Sequence, residues 1–559
     1  MKFVIIIFLQ FYFLPYLCFG LETDSIVELD INIKGKGLVI SNIPPPYIKG
    51  QTISLSFYPS GGYEFVTKPN VLLASEKDSL FGWVFDHWSF SDSSLQEHSG
   101  LENPLTITLQ SNRTLYVSFI QQGTAGHLTN KQYQQLMLIR TGNYKDWQPM
   151  SDDQREGLSK KSGYYLSNFK KDNQKWGQPA TVWWKDFVRN NPLGYDYLGE
   201  GTTWAGLILQ ALALKYREMP TDTATIHDIL NVLKALDRNT KIAGASGRVS
   251  RFSGPANDHA YQWYYKKVKV GAHSGTTPWQ DMIWLGKPTR DTHTGLFVGL
   301  SSVGYFCRDN QIIFELAKDI TEHVVDRLIL DNWKIKGLDN DHGVINEKEL
   351  KQLQIRTAYY FNSQKYSYFK NQIDNFRLSL NKGKDLYSDS YWVEWMTWGR
   401  AFGIILLETS YSKRTDQIGK INKLFEREKL HLNPYYVGIT AYLNSLLKNK
   451  IISSELDKWL QAELEGLLLA YPDGIKWNRE INLFEDPQFT SHNQKHAKEA
   501  ALPNQVFNAD FNGQRSATRA KGGSNHQAYQ FTNFDMFLTY WLAKASGRLN
   551  AAIYIDPGK

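Results

Sequence analysis

The spacing of apolar residues changes once along this chain, and that change constrains its fold more than any motif does. Between about Ile26 and Ile120 apolar and polar residues alternate, in "VELDINI", "TISLSFYP" and "LTITLQSNRTLYVSFI", with Gly, Pro, Asn and Ser at the breaks. A period of two puts successive side chains on opposite faces of a strand and predicts β-structure. After the linker-like "QQGTAGHLTN" (Gln121 to Asn130) the period becomes helical. "TWAGLILQALALKYREM", "TATIHDILNVLKALDRNT", "IIFELAKDITEHVVDRLIL", "WVEWMTWGRAFGIILLETSYS" and "NFDMFLTYWLAKASG" all repeat apolar residues at helix spacing, several behind a capping Thr, Ser, Asp or Asn.

The expected chain is therefore multidomain: a small N-terminal all-β module at residues 21–121, then an all-α domain at residues 122–559. Some helical stretches are apolar nearly all round (203–213), while others keep one polar face (224–239). That mixture suits an inner layer buried on all sides and an outer layer wet on one, which is an α/α toroid. An open helical solenoid would call for a fixed repeat period, and none is visible.

Residues 1–20 read as an export signal: Lys2, then the apolar "FVIIIFLQFYFLPYL", then "CFG" before Leu21. Its removal would leave Cys307 as the one cysteine, with no intramolecular disulfide to form. No later segment is long and apolar enough to span a bilayer. A net charge of +7 from 63 basic and 56 acidic residues is mild for 559 residues, and no dense basic run is interleaved with aromatics. Nucleic acid is a poor partner for such a surface. The 17 Trp, 31 Tyr and 29 Phe suit sugar stacking, although large helical cores also consume aromatics.

The order "KGKGLVI", "KGQTISLSFYPSGGYEF", "FDHWSF", "NPLTITLQSNRTLYVSFI" resembles the bacterial surface repeat of the internalin B-repeat type, with Gly62, Tyr63 and Phe65 matching its first element, Trp88 its strand tryptophan and Asn112 to Phe119 its closing strand. An insertion at "VTKPNVLLASEKDSLFGW" departs from that pattern. The resemblance implies a cell-surface spacer without catalytic residues. The helical region resembles the α/α-toroid glycosidases and polysaccharide lyases in its loops: Glu200 to Trp204 ("EGTTW"), "GRVSRF", and Arg290 to Leu296 ("RDTHTGL"). No complete signature of one such family is present, so the resemblance implies an architecture and assigns no roles.

Cleaving a glycosidic bond takes two carboxyl groups, one protonated to donate to the leaving oxygen and one ionised to activate water or attack the sugar. Glu200 and Asp291 are the expected pair, each just ahead of an apolar helix, and Asp258 in "GPANDHAYQWYY" is a third candidate. Each is alternatively a helix cap or a first-turn acid facing the helix dipole. Arg248 and Arg251 can clamp an anionic group through paired N–H donors. Trp204, Trp263, Trp279 and Trp395 are candidate sugar platforms, and Arg290, His293, His526 and Tyr529 candidate polar contacts. His526 and Tyr529 would also suit the base and acid of a lyase. Glu394, on an aromatic helix face, is expected to pair with Arg400 or else to line the cleft.

"LDNDHGV" (Leu338 to Val344) has the look of a calcium loop, but its Gly comes early and Leu350 stands at the twelfth position, so a turn is expected. No cofactor or metal motif stands out. The expected function is an exported enzyme cleaving a poly- or oligosaccharide, hydrolase ahead of lyase. The alternative is a non-catalytic surface protein that binds glycan or a protein partner.

Overall fold

The computed structural model describes residues 26–34, 37–43, 45–59, 83–91, 99–100, 105–121, 128–140, 142, 147–184, 192–196, 198–244, 247–258, 271–338, 340–380, 391–449, 451–471, 481–482, 485–491, 494–497, 521–522, 529–530, 532 and 534–549. The export signal, Gly62, Tyr63, Phe65, Trp263 and His526 lie outside the described residues.

The alternating stretch forms strands β1 (Ile26–Val27), β2 (Leu29–Lys34), β3 (Gly37–Ser41), β4 (Tyr47–Ile48), β5 (Gln51–Pro59), β6 (Trp83–Ser91), β7 (Ser99–Gly100), β8 (Leu105–Leu109) and β9 (Arg113–Gln121). One sheet runs β2-β9-β6-β7, with β2 parallel to β9, and a second runs β3-β5-β8. Ile53, Leu55 and Phe57 of β5 and Leu115 and Val117 of β9 point every second side chain into one core, where Trp88 and Phe90 meet edge to face at 5.6 Å. This core is separate from that of the helices.

The helical region comprises α1 (Asn130–Arg140), α2 (Asp152–Asn168), α3 (Gly201–Glu218), α4 (Thr223–Lys241), α5 (Arg290–Phe306), α6 (Gln311–Leu330), α7 (Lys348–Phe361), α8 (Lys370–Asn375), α9 (Tyr391–Leu406), α10 (Tyr411–Glu428), α11 (Pro434–Ser445), α12 (Ser454–Ala470) and α13 (Phe534–Ala545). It is not all-α as expected. Short strands occupy the connections: β10 (Thr181–Trp184), β11 (Pro192–Asp196), β12 (Phe252–Pro255), β13 (Ala272–Ser274), β14 (Met282–Leu285), β15 (Lys334–Gly337), β16 (Asn340–Ile345) and β17 (Tyr529–Gln530). Long loops over a helical core must pair their backbone groups somewhere, and these pair with one another, as β11-β10-β17, β12-β14-β13 and the β15-β16 hairpin.

Five helices close on one another in a cycle: α3 packs on α5, α5 on α9, α9 on α11, α11 on α13, and α13 back on α3. They are the helices whose described side chains are buried almost all round. The others pack outside them, α4 on α3, α6 on α5, α10 on α9 and α11, and α12 on α11 and α13. α4 buries one side through Ile229, Val232, Leu233 and Leu236, spaced three and four apart. Full burial of each such side chain contributes about 1.5–3 kcal/mol, so an outer helix holds its place through one stripe alone.

The five inner helices run parallel. Gly295 and Gly299 of α5 meet Thr203 and Gly206 of α3 in ascending order. Gly399 and Gly403 of α9 likewise meet Val298 and Ser301. Trp398 stacks on Tyr436 at 4.9 Å, and Phe402 lies 5.8 Å from Tyr442. Phe534 packs beside Trp204 at one end of α3, while Arg217 Nη1 donates to the Ala545 carbonyl at 2.8 Å near the other. All five N-termini therefore share one rim.

Between the helices the axis is filled. Trp204 lies 5.8 Å from Trp395 and 5.9 Å from Phe534. The Tyr435 hydroxyl donates across the ring to Gln210 Oε1 at 3.1 Å.

Candidate functional site

The N-terminal rim gathers a cluster of charge. Glu200 ends a 3-10 turn (Leu198–Glu200) at the cap position of α3, yet its side chain makes no capping bond. Its Oε2 accepts from Thr203 Oγ1 at 2.9 Å, and its Oε1 is ion-paired with Arg251. Asp291 stands in the first turn of α5, but the capping there is done by Thr289 and Thr292, whose hydroxyls each accept the other's backbone N–H at 3.2 Å. Neither acid is spent on a helix end.

Local backbone structure carries these groups to one place. The backbone N–H groups of Arg251 and Thr202 donate to Leu285 and Arg251 carbonyls, both at 2.8 Å. Arg251 is thus stitched to the end of β14 on one side and to the start of α3 on the other. Three residues after Leu285, Pro288 leads through the Thr289 cap into α5. A Cβ on Gly201 would strike the Phe252 ring, so the strand lies directly against the α3 entry. Arg251 Nε also donates to the Gly199 carbonyl.

Around Asp291 stand Arg400, Arg251 and Arg290, with Glu347 and Glu200 as like charges. Glu347, at the start of α7 just after the β15-β16 hairpin, pairs with Arg290 at 2.5 Å through Oε1 and with Arg400 through Oε2. Arg400, only 2% exposed, also donates through Nε to Thr294 Oγ1 at 2.9 Å. Among the described residues no hydrogen bond holds the Asp291 carboxyl.

Both candidate carboxyls sit above their ordinary range. Burial pushes Glu200 up and Asp291 adds to it, while Arg251 and the Thr203 hydroxyl pull it down. Burial also raises Asp291, against Arg400, Arg251 and Arg290, which lower it. Desolvation of a carboxylate favours its protonated form, and these groups pay it at the mouth of two apolar helices.

The remaining expected residues divide. Arg251 and Arg290 belong to the cluster. His293, two residues along α5, is buried instead, its Nδ1 3.4 Å from Gln354 Nε2, and burial drives it down to about 3. Trp204 and Trp395 are core residues whose rings face each other, so neither presents a platform. Asp258 joins Lys175 and Tyr195, whose hydroxyl is pushed up to about 12 by burial first and by the Asp258 charge second. Arg248 faces Asp331 and helps hold its carboxyl down. Trp279 sits half-buried in the turn between β13 and β14. The Tyr529 backbone pairs with Trp183 in the β10-β17 ladder.

The expected Glu394–Arg400 pair does not form. The two are six residues apart on α9, about 240° around a helix, and so point to different neighbours. Arg400 turns to Glu347, and Glu394 Oε2 lies 3.7 Å from His431 Nδ1. Sequence reasoning missed Glu347, which carries no motif. Its one signal is an acid directly ahead of a helix, a signal common to ordinary caps.

Among the described residues no cluster of His, Cys, Asp and Glu has the arrangement of a metal site, and no helix is long and apolar enough to cross a membrane. No protein-family model matches the chain and no curated protein does, so the likeness of its β-module to a surface repeat stands on the quoted motifs alone. Among solved structures the chain is similar to a metagenome-derived glycoside hydrolase family 9 endoglucanase, with 10% identity over 93% of this chain and 98% of that one and a TM-score of 0.39. A likeness at that level decides neither fold nor activity.

Proposed function

We propose that this chain is an exported carbohydrate-active enzyme that hydrolyses a poly- or oligosaccharide at the N-terminal rim of an α/α toroid. The observation that carries the reading is the pairing of Glu200 and Asp291. They stand at the entries of adjacent parallel helices, each raised above the ordinary carboxylate range, Glu200 partly by the charge of Asp291, and neither capping its helix. Glycoside hydrolysis asks for two such carboxyls in different states. Asp291, which no hydrogen bond holds among the described residues, is the group that exchanges a proton with the sugar. Glu200, held by Thr203 and Arg251, is the fixed partner.

A poly- and oligosaccharide panel with product detection tests this on the chain freed of residues 1–20. Cleavage by the wild type, lost in Asp291→Asn and Glu200→Gln, supports the reading. Binding without cleavage supports a glycan-binding surface protein instead, and cleavage unchanged in both variants removes these two residues from the chemistry.

A further inference from the structure

Three guanidiniums, Arg251, Arg290 and Arg400, meet three carboxyls, Glu200, Glu347 and Asp291, at the rim. The charges balance, but the bonds are shared unequally. Among the described residues Glu200 takes Arg251, Glu347 takes both Arg290 and Arg400, and Asp291 takes none. We propose that Glu347 is a positioning residue of this site: by gripping Arg290 and Arg400 with its two oxygens it keeps both from closing on Asp291, which stays free to pass a proton to a ligand.

This inference rests on the role read above for Asp291. An arginine that reached Asp291 would form a charge-assisted bond and lock the carboxyl as an anion. Arg290 is next to Asp291 in the chain and 45% exposed, so its side chain has room to turn. Arg400 is buried on α9, with Thr294 as its second anchor one turn below. The charged and titratable groups facing Asp291 are Glu200 from the α3 entry, Arg251 just ahead of β12, Arg290 on its own helix, Glu347 at the N-cap of α7 and Arg400 from α9. His293, the other titratable side chain of that turn, is held neutral by burial. Glu347 alone among them touches two of the cations.

The test follows Asp291 directly. The full chain is labelled with [13C-carboxyl]aspartate, the Asp291 signal is assigned by its loss in Asp291→Asn, and its titration is measured in the wild type, Arg290→Gln, Glu347→Gln and the double variant. Glu347→Gln is expected to lower the midpoint by about one pH unit. Adding Arg290→Gln should then restore most of it, whereas Arg290→Gln alone should move it by less than about 0.3 unit, because Glu347 already holds that guanidinium. A midpoint unmoved in Glu347→Gln, or an Arg290→Gln effect of the same size with and without Glu347, overturns the proposal. Should Glu347→Gln fail to fold, Arg290→Gln alone decides, since an upward shift near a full unit contradicts the grip. The cleavage assay is a separate readout. A titration that behaves as expected in a protein that cleaves no glycan upholds the role of Glu347 and removes the enzymatic reading.

Discussion

Gly206 and Gly295 touch backbone to backbone, so that a Cβ added to Gly206 would overlap the Gly295 carbonyl and stand 2.8 Å from the Leu296 nitrogen. That contact, repeated one turn on by Gly299 against Gly206, lets α3 and α5 lie closer than side chains would allow. It is also what brings Glu200 and Asp291 to neighbouring helix entries.

Gly206→Ala is therefore expected to cost about 2–4 kcal/mol, more than ordinary overpacking, because the atoms met are backbone and cannot rotate away. Denaturant unfolding measures the loss. Gly163→Ala, on α2 where a Cβ meets nothing within 4 Å, should leave stability unchanged or slightly raised.

Asp291→Asn and Glu200→Gln should each lower kcat by about 10²–10⁴-fold on a cleaved glycan with little change in circular dichroism. Because burial raises Asp291, a rate that needs it protonated falls as pH rises through a value above 3.8, its ordinary one. The pH–rate profile of the wild type locates that limb.

His293 is lowered by burial from 6.5 to about 3. The unfolded chain then takes up a proton near 6.5 that the folded chain refuses. The associated stability is fully present above pH 6.5 and is lost as pH falls toward 3. At about 1.4 kcal/mol per unit it comes to about 5 kcal/mol. His293→Asn should flatten this acid-side slope relative to wild type in urea titrations at several pH values.

Glu463 of α12 is buried beside Trp459 and Lys429 and pushed well above 4.5, chiefly by burial. A folded-state value above the unfolded one means stability present below pH 4.5 and lost as pH rises from there through the folded value. Glu463→Gln should remove that loss, raising Tm at pH 8 relative to wild type and leaving it nearly unchanged at pH 4.

The periodicities carried most of the architecture. Alternation marked β5 and β9, whose inward residues are the expected ones, and helical spacing marked α3, α4 and α13. The short sheets were hidden because "TVWW" or "MIWL" is too brief to show a period. In the site, Glu200, Arg251, Arg290 and Asp291 stood out since they flank helix entries. Glu347 did not, and Arg400 was read only as a partner for Glu394, because closing α5, α7 and α9 together is what makes them neighbours of Asp291. Trp204 and Trp395 show the opposite problem: a tryptophan that packs a core and one that stacks on a sugar read alike in one sequence.

The stuffed centre of the helix ring has a plain consequence for traffic. With Trp204, Trp395, Phe534 and Tyr435 blocking the bore, nothing can be threaded from one side to the other. If a long polymer is the ligand proposed above, it has to lie across the doorway and depart by the way it arrived.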